Sequence, residues 1–290
     1  MSKSLPARMT VIRTEQLAPA MRRVVFGGVG FADFLTRHVE LNDRAPGGAF
    51  TDEYVKLVFL ADGFEYPEPL DLDLVKDTMP KEAWPVLRTY TIRWVDPHAE
   101  EVAIDFVVHG TDAHDGPGVA GPWAANAQPG VVLHLRGPSG AYAPDPNADW
   151  LLFVGDEAGL PAIAASLEAL APTDRAVAFI EVDGRADEIE LTTVADLEVH
   201  WLHRGDAEPG STTLLDDALR RWDWRNGRVQ AFIHGESALL KTVRPHVLDD
   251  RGVARVDVSV SAYWRRGATE EGFRVWKAEQ YDPVMRPGAS

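Results

Sequence analysis

The sequence predicts two domains of different class: a β-rich domain of short strands, then an α/β domain on a parallel sheet. Length suggests two domains, since 290 residues exceed the roughly 150 typical of one. The first half holds short apolar or alternating runs separated by Gly, Pro, Asp and Asn, whereas the second alternates strand-like runs with helical spacing. Between them, Ala143-Pro-Asp-Pro-Asn-Ala-Asp149 is rich in residues that disfavour regular structure. The expected boundaries are 1–142, a linker at 143–149, and 150–290 with a C-terminal helix.

The first-domain runs are Met9–Arg13, Arg22–Phe26, Tyr54–Leu60, Arg88–Val95, Glu101–Val108 and Val131–Arg136. The fourth and fifth read as a hairpin through Asp96, Pro97 and His98, and Gly137-Pro-Ser-Gly140 ends the domain. Many short strands with turns suggest a small barrel or sandwich. In the second domain Trp150–Gly155, Ala176–Val182, Val199–His203, Val229–Ile233 and Ala254–Val260 read as strands. Pro161–Leu170, Thr213–Trp222, Ala238–Leu248 and Glu270–Glu279 read as helices. Such alternation implies a parallel sheet covered on both faces, with ligands beyond the carboxyl ends of its strands. A cleft between the domains can hold one cofactor on the barrel and another on the sheet.

Lys plus Arg number 29 and Asp plus Glu 45, so the formal charge is 29 − 45 = −16. That argues against a nucleic-acid reader, whose affinity rests on phosphate neutralisation. Cysteine is absent, which excludes disulfides, thiolate metal sites and catalytic thiols. Redox chemistry therefore needs a bound organic cofactor or a metal on other ligands. The N-terminus has no apolar signal region and no run reaches the roughly 18 apolar residues of a membrane span. The expectation is a cytoplasmic protein without membrane insertion. No metal site is expected: His200 and His203 point to opposite faces of a strand, His109 and His114 have only Asp112 and Asp115 nearby, and no H-E-x-x-H occurs. No G-x-S-x-G elbow occurs either. Trp150 and Trp201 read as packing residues.

Arg88-Thr-Tyr-Thr-Ile-Arg93 is the most informative segment. Alternation puts Arg88 and Tyr90 on one face, and Thr91 and Arg93 on the other. A guanidinium beside an aromatic ring suits a ligand with a phosphate and a flat ring system. The same residues also fit a strand with an exposed Arg and a core Tyr. Asp105-Phe-Val-Val-His-Gly110 follows, then Gly116-Pro-Gly-Val-Ala-Gly-Pro-Trp-Ala124, where Pro122 suits the first position of a helix whose free N–H groups favour an anion. Gly155-Asp-Glu-Ala-Gly-Leu-Pro161 lies between strand and helix, where a dinucleotide phosphate binds in such folds, and Gly235-Glu-Ser ends another strand. Both also read as plain turns.

Taken in order, these segments resemble the siderophore-interacting protein family, flavin-dependent ferric-siderophore reductases of the ferredoxin–NADP reductase-like superfamily. The resemblance rests on RTYTIR at 88–93, DFVVHG at 105–110, GPW-A at 121–124, GPSG at 137–140, VGDEAGLPAI at 154–163, HGES at 234–237 and SAYWRRGATEEGFRVWK at 261–277. It implies a six-stranded antiparallel FAD-binding barrel followed by a five-stranded parallel, doubly wound NAD(P)-binding domain. Arg88 would meet the FAD pyrophosphate, Tyr90 pack on the isoalloxazine and Thr91 bond near N5, the latter two as the catalytic pair. Asp105, Val107, His109 and Gly118 would lie along the cofactor, and Ala120, Gly121 and Trp123 would offer backbone N–H groups to its phosphates. The commoner family form has Ser-Arg where Gly121-Pro122 stand, so this contact would rest on backbone. Gly155, Asp156, Glu157 and Glu236 match the NADPH or NADH positions. Arg185 is open between a 2′-phosphate contact and a solvated surface residue. Arg265, Arg266 and Lys277 would attract an anionic ferric siderophore. The implied activity is electron transfer from NAD(P)H through FAD to Fe(III), releasing Fe(II). A non-catalytic siderophore carrier, or a flavin reductase fed by ferredoxin, are the alternatives.

Overall fold

The computed structural model describes residues 5–108, 118–268 and 270–279. Six strands close a barrel in the order β1 (Ala7–Ala18), β2 (Met21–Gly27), β5 (Glu101–Val107), β4 (Val86–Asp96), β3 (Tyr54–Phe59) and β6 (Val132–Ser139). Every neighbouring pair is antiparallel. Alternate residues such as Met9, Val24, Phe26, Leu57, Ile104 and Leu135 fill the interior. The β4–β5 turn closes as expected, with the Asp96 carboxylate accepting from His98 N and Ala99 N at 2.9 and 3.0 Å.

Two helices interrupt the strands where only strands and loops were expected. In α1 (Phe31–Asn42) Phe31 and Phe34 pack in the barrel core and Leu41 is buried too, a helical spacing. In α2 (Leu72–Thr78) the Asp71 side chain caps the first turn by accepting from Asp73 N and Leu74 N. A third helix, α3 (Ala120–Asn126), starts two residues before Pro122 and drives Trp123 into the barrel against Phe26, Phe59 and Phe106.

The second domain is a five-stranded sheet with helices on both faces. Its order is β11 (Val258–Trp264), β10 (Val229–Glu236), β7 (Trp150–Gly155), β8 (Arg175–Val182), β9 (Asp196–His203). All four pairings are parallel. β7 is buried along its whole length because both faces are covered. Leu160, Ile163 and Leu167 of α4 (Leu160–Glu168) pack on one face, and Leu215 and Leu219 of α5 (Leu214–Arg221) on the other. The strand order reverses at the β7/β10 pair, which makes that carboxyl edge the switch point.

Two expected elements are redrawn. The helix over 238–248 is instead a 3-10 turn at Ser237–Leu240, one helical turn α6 (Val243–Pro245) and a π turn at His246–Asp250. Pro245 cannot donate to a continuous helix. The last strand begins at Val258 after a 3-10 turn at Arg255–Asp257, so Tyr263 and Trp264 end it rather than follow it. Beyond it lies α7 (Glu270–Glu279). Among the described residues no helix is long and apolar enough to cross a membrane.

An ionic chain ties the domains together. The fully enclosed Asp105 carboxylate accepts from Arg23 Nε and Nη2 at 2.7 and 2.8 Å, with Arg93 Nε 3.9 Å away. Arg93 then forks onto Glu168 of α4 at 2.6 and 2.5 Å. Thr51 and Ser166 hydroxyls meet at 2.7 Å, and Ala20 N donates to Asp187 at 2.9 Å. Removing one member of a buried ionic set leaves its partners uncompensated, a loss of about 3–5 kcal/mol. Asp105→Ala should lose stability of that order in urea unfolding; a loss under about 1 kcal/mol would show the chain contributes nothing.

Candidate functional site

The barrel wall is open at one place. β4 pairs with β3 over residues 86–91, but with β5 only from Ile92 onward. The last β5 residues, Asp105 to Val107, pair with β2. Backbone edges at 88–91 and 105–107 therefore face a gap rather than each other. A cleft of about 1070 Å³ occupies this gap and runs to β10 and β11 of the second domain. That is ample for a cofactor-sized ligand.

Arg88, Tyr90, Thr91 and Val107 all border this cleft. Arg88 is half-buried, donates to Leu87 O at 3.0 Å and has no carboxylate partner among the described residues. The half-buried Tyr90 ring lies 4.5 Å from Phe106. Thr91, expected on the opposite face, still meets the cleft because β4 changes partners at this point. Asp105 borders the cleft too, and its carboxylate is held by Arg23 as a strut. Gly118, Ala120 and Gly121 lie at the start of α3, outside the cleft lining. The Trp123 N–H, expected to face a phosphate, donates to Val119 O at 3.2 Å inside the helix. His109 lies outside the described residues.

The carboxyl edge of the sheet gathers around one carboxylate. Buried Asp156 accepts from Ala158 N (2.9 Å), Gly159 N (3.2 Å), Glu236 N (2.8 Å) and Trp264 Nε1 (2.7 Å). Its carbonyl takes Gly159 N and Leu160 N. The amide groups that would greet a phosphate at the start of α4 are thus consumed. Burial and the neighbouring Glu157 push the Asp156 carboxyl up to about 6. Burial also raises Glu157, which pairs with Arg204 at 2.5 Å, and Glu181, which accepts from Thr212 at 2.6 Å. Glu236 accepts from Ser237 Oγ and Arg266 N. A Cβ at Gly155 or Gly159 would sit 2.6 or 2.3 Å from His234 O, so these glycines admit the β10 backbone rather than a ligand. Asp156 and Glu236 thus accept from protein donors and Glu157 pairs with Arg204, around the turn where Gly155, Asp156, Glu157 and Glu236 were expected to meet a nicotinamide dinucleotide. Arg185 is exposed in a 3-10 turn.

Of the three expected substrate cations, Lys277 borders the cleft, donating to Ala262 O at 2.7 Å and Ser261 Oγ at 3.1 Å. Arg265 lies over the Trp276 ring at 5.0 Å and Arg266 pairs with Glu208 at 3.1 Å. Neither borders the cleft, because the chain turns at Gly267 (φ +69°) just past the strand. Lys56, an exposed position within apolar β3, also borders it and was missed; its signal was a lone cation inside Tyr54–Phe59. His234, Ser259 and Tyr263 complete the far wall.

Comparison with known proteins bears on the same two halves. A family model described as the siderophore-interacting FAD-binding domain matches residues 10–142, and one described as siderophore-interacting protein matches 148–267. The chain belongs to the siderophore-interacting protein family. It is 48% identical over 281 residues to an uncharacterized protein of Mycobacterium tuberculosis, covering 93% of each. It is 34% identical over 196 residues to the ferric vibriobactin reductase ViuB of Vibrio cholerae, covering 65% of this chain and 68% of that one. A third relative is the NADPH-dependent ferric-chelate reductase of Escherichia coli, 31% identical over 204 residues, 67% of this chain and 70% of that one. A solved siderophore utilization protein from T. fusca superposes with a TM-score of 0.73 at 34% identity, over 90% of this chain and 93% of that one. In this siderophore-interacting protein the cleft fits FAD: an Arg with no carboxylate partner among the described residues, an aromatic ring and two strand edges that do not pair with each other converge there.

The Asp156 carboxyl binds its proton more tightly in the folded state (about 6) than its ordinary value of 3.8. Between those values the folded state holds the extra proton, so its contribution to stability is full below about 4 and lost as pH rises through 6. The slope is at most about 1.4 kcal/mol per pH unit. Asp156→Asn, though less stable overall, should flatten the stability profile between pH 4 and 6 in urea unfolding. A profile parallel to that of the parent protein would contradict this.

Proposed function

We propose that this protein is an FAD-dependent reductase that passes electrons from NAD(P)H to Fe(III) in a ferric siderophore and releases Fe(II). The observation that carries this is the opened barrel edge, where Arg88 and Tyr90 face a cleft whose opposite wall bears Lys277. Arg88 would hold the FAD pyrophosphate by charge-assisted bonds, Tyr90 would cover one face of the ring, and Thr91 would contact its edge. Val107 and the backbone of 88–91 would shape the rest of the seat. Bound FAD supplies the link between a two-electron donor and a one-electron acceptor.

The chain's own part is to bind, orient and attract. Lys56, Arg88 and Lys277 border the cleft of a protein with formal charge −16. Such local cations let an anionic chelate approach an acidic molecule. Relatives named as ferric vibriobactin and ferric-chelate reductases support the acceptor. The E. coli relative's name supports NADPH as donor. Reduced ferredoxin is a second reading of the donor, favoured by the engaged amides and carboxylates at the β7–α4 turn.

Two outcomes test this. Anaerobic NADPH, NADH or reduced ferredoxin should bleach the flavin of the purified protein, and a ferric siderophore should restore its colour with Fe(II) release. Binding of the chelate without reoxidation would instead make the protein a carrier. Arg88→Ala should weaken FAD binding by about 10- to 150-fold, the worth of a charged hydrogen bond, as measured by fluorescence titration. Unchanged affinity would remove the pyrophosphate role. Replacing Lys56 and Lys277 together with Ala should raise KM for the ferric siderophore more than for the electron donor; equal rises would remove their docking role.

A further inference from the structure

Residues 259, 261 and 263 share one face of β11, and Phe232 and His234 share one face of β10. The parallel register sets Phe232 beside Ser259 and His234 beside Ser261. His234, Ser259 and Tyr263 all border the cleft. The His234 ring is buried and stacked on Phe232 at 3.7 Å, which fixes its plane. Its Nδ1 lies 3.0 Å from the Tyr263 hydroxyl and its Nε2 2.9 Å from Ser259 Oγ. Burial, reinforced by Lys277, holds the imidazole well below its usual pKa, so it is neutral near pH 7. A neutral imidazole has one donor and one acceptor nitrogen. It therefore accepts from one of these hydroxyls and donates to the other. At the inner end, Tyr263 borders the same cleft as Thr91, which lies on the β4 edge assigned to the cofactor. At the outer end, Ser259 is partly exposed and close in sequence to Val256, which is 91% exposed and borders the same cleft.

Resting on the reductase reading above, we propose that Tyr263, His234 and Ser259 form a proton path between the cofactor edge of the cleft and its solvent rim. The reaction calls for one. Oxidation of two-electron-reduced FAD by two ferric chelates balances as FADH⁻ + 2 Fe(III) → FAD + H⁺ + 2 Fe(II), so one proton must leave the cofactor edge. Tyr263 passes a proton to one imidazole nitrogen, the other nitrogen releases one to Ser259, and Ser259 releases one to water. A one-electron reductant reverses the demand, FAD + 2e⁻ + H⁺ → FADH⁻. The proton then travels inward, which returns His234 to its starting tautomer.

The test uses FAD-loaded protein reduced anaerobically with dithionite, then mixed with ferric citrate in stopped flow, in H₂O and D₂O. The path predicts a solvent isotope effect on flavin reoxidation in the parent protein. Ser259→Ala and His234→Gln should slow reoxidation by at least about tenfold, within the range of a positioned proton-transfer group. Added imidazole buffer should restore much of that rate. Nitrogen NMR of His234 in the loaded parent protein should show one neutral tautomer, and Ser259→Ala should mix the two. Unchanged reoxidation rates in both variants, or slowing that buffer does not rescue, would overturn the path. Failure of the parent protein to take up FAD would instead sink the reductase reading.

Discussion

A single enclosed carboxylate sets the geometry on which the site depends. Asp105 sits in β5 where that strand stops pairing with β4, and it is gripped by Arg23 from β2. Arg93, next to it on β4, turns its fork outward onto Glu168 of α4. One ionic chain thus holds the parted strands of the barrel and the first helix of the second domain in fixed relation. The charges survive burial because each meets an opposite charge, a condition a lone buried carboxylate could not meet. The parted strands form one wall of the cleft, and the sheet that α4 packs on forms the other.

The second sheet is braced by its own carboxylates. Asp156 gathers donors from the β7–α4 turn, from β10 and from β11, so three strand ends are fastened at the switch point by one side chain. At the edge that often receives phosphate in such folds, Asp156 forms an internal joint. Its cost is visible in the raised Asp156, Glu157 and Glu181 carboxyls. Its gain is a rigid β10–β11 face, with His234, Ser259, Ser261 and Tyr263 held in register against the barrel.

Much of this was legible in the residues. Both sheets followed from run lengths and turn punctuation, and Arg88-Thr-Tyr-Thr located the barrel side of the cleft. The misses have physical causes. Phe31, Phe34 and Leu41 carry a helical spacing, but it stands among strand runs. Asp105, Asp156 and Glu236 look like ligand residues in sequence, and only the fold shows that their carboxylates also accept from Arg23 and from backbone amides. Arg265 and Arg266 stand beside Trp264, yet a turn one residue later removes them from the cleft. Lys56 and His234 are single residues in apolar strands, and a role for them emerges only when two domains meet.

The seat of the flavin is the claim on which the account rests, and a crystal structure of the protein grown with FAD measures it most directly. The account predicts density for the ring system against Tyr90 and Thr91, on the side facing Tyr263, with the pyrophosphate within bonding distance of Arg88. A flavin bound elsewhere, or a cleft that stays filled by solvent at saturating FAD, would contradict it.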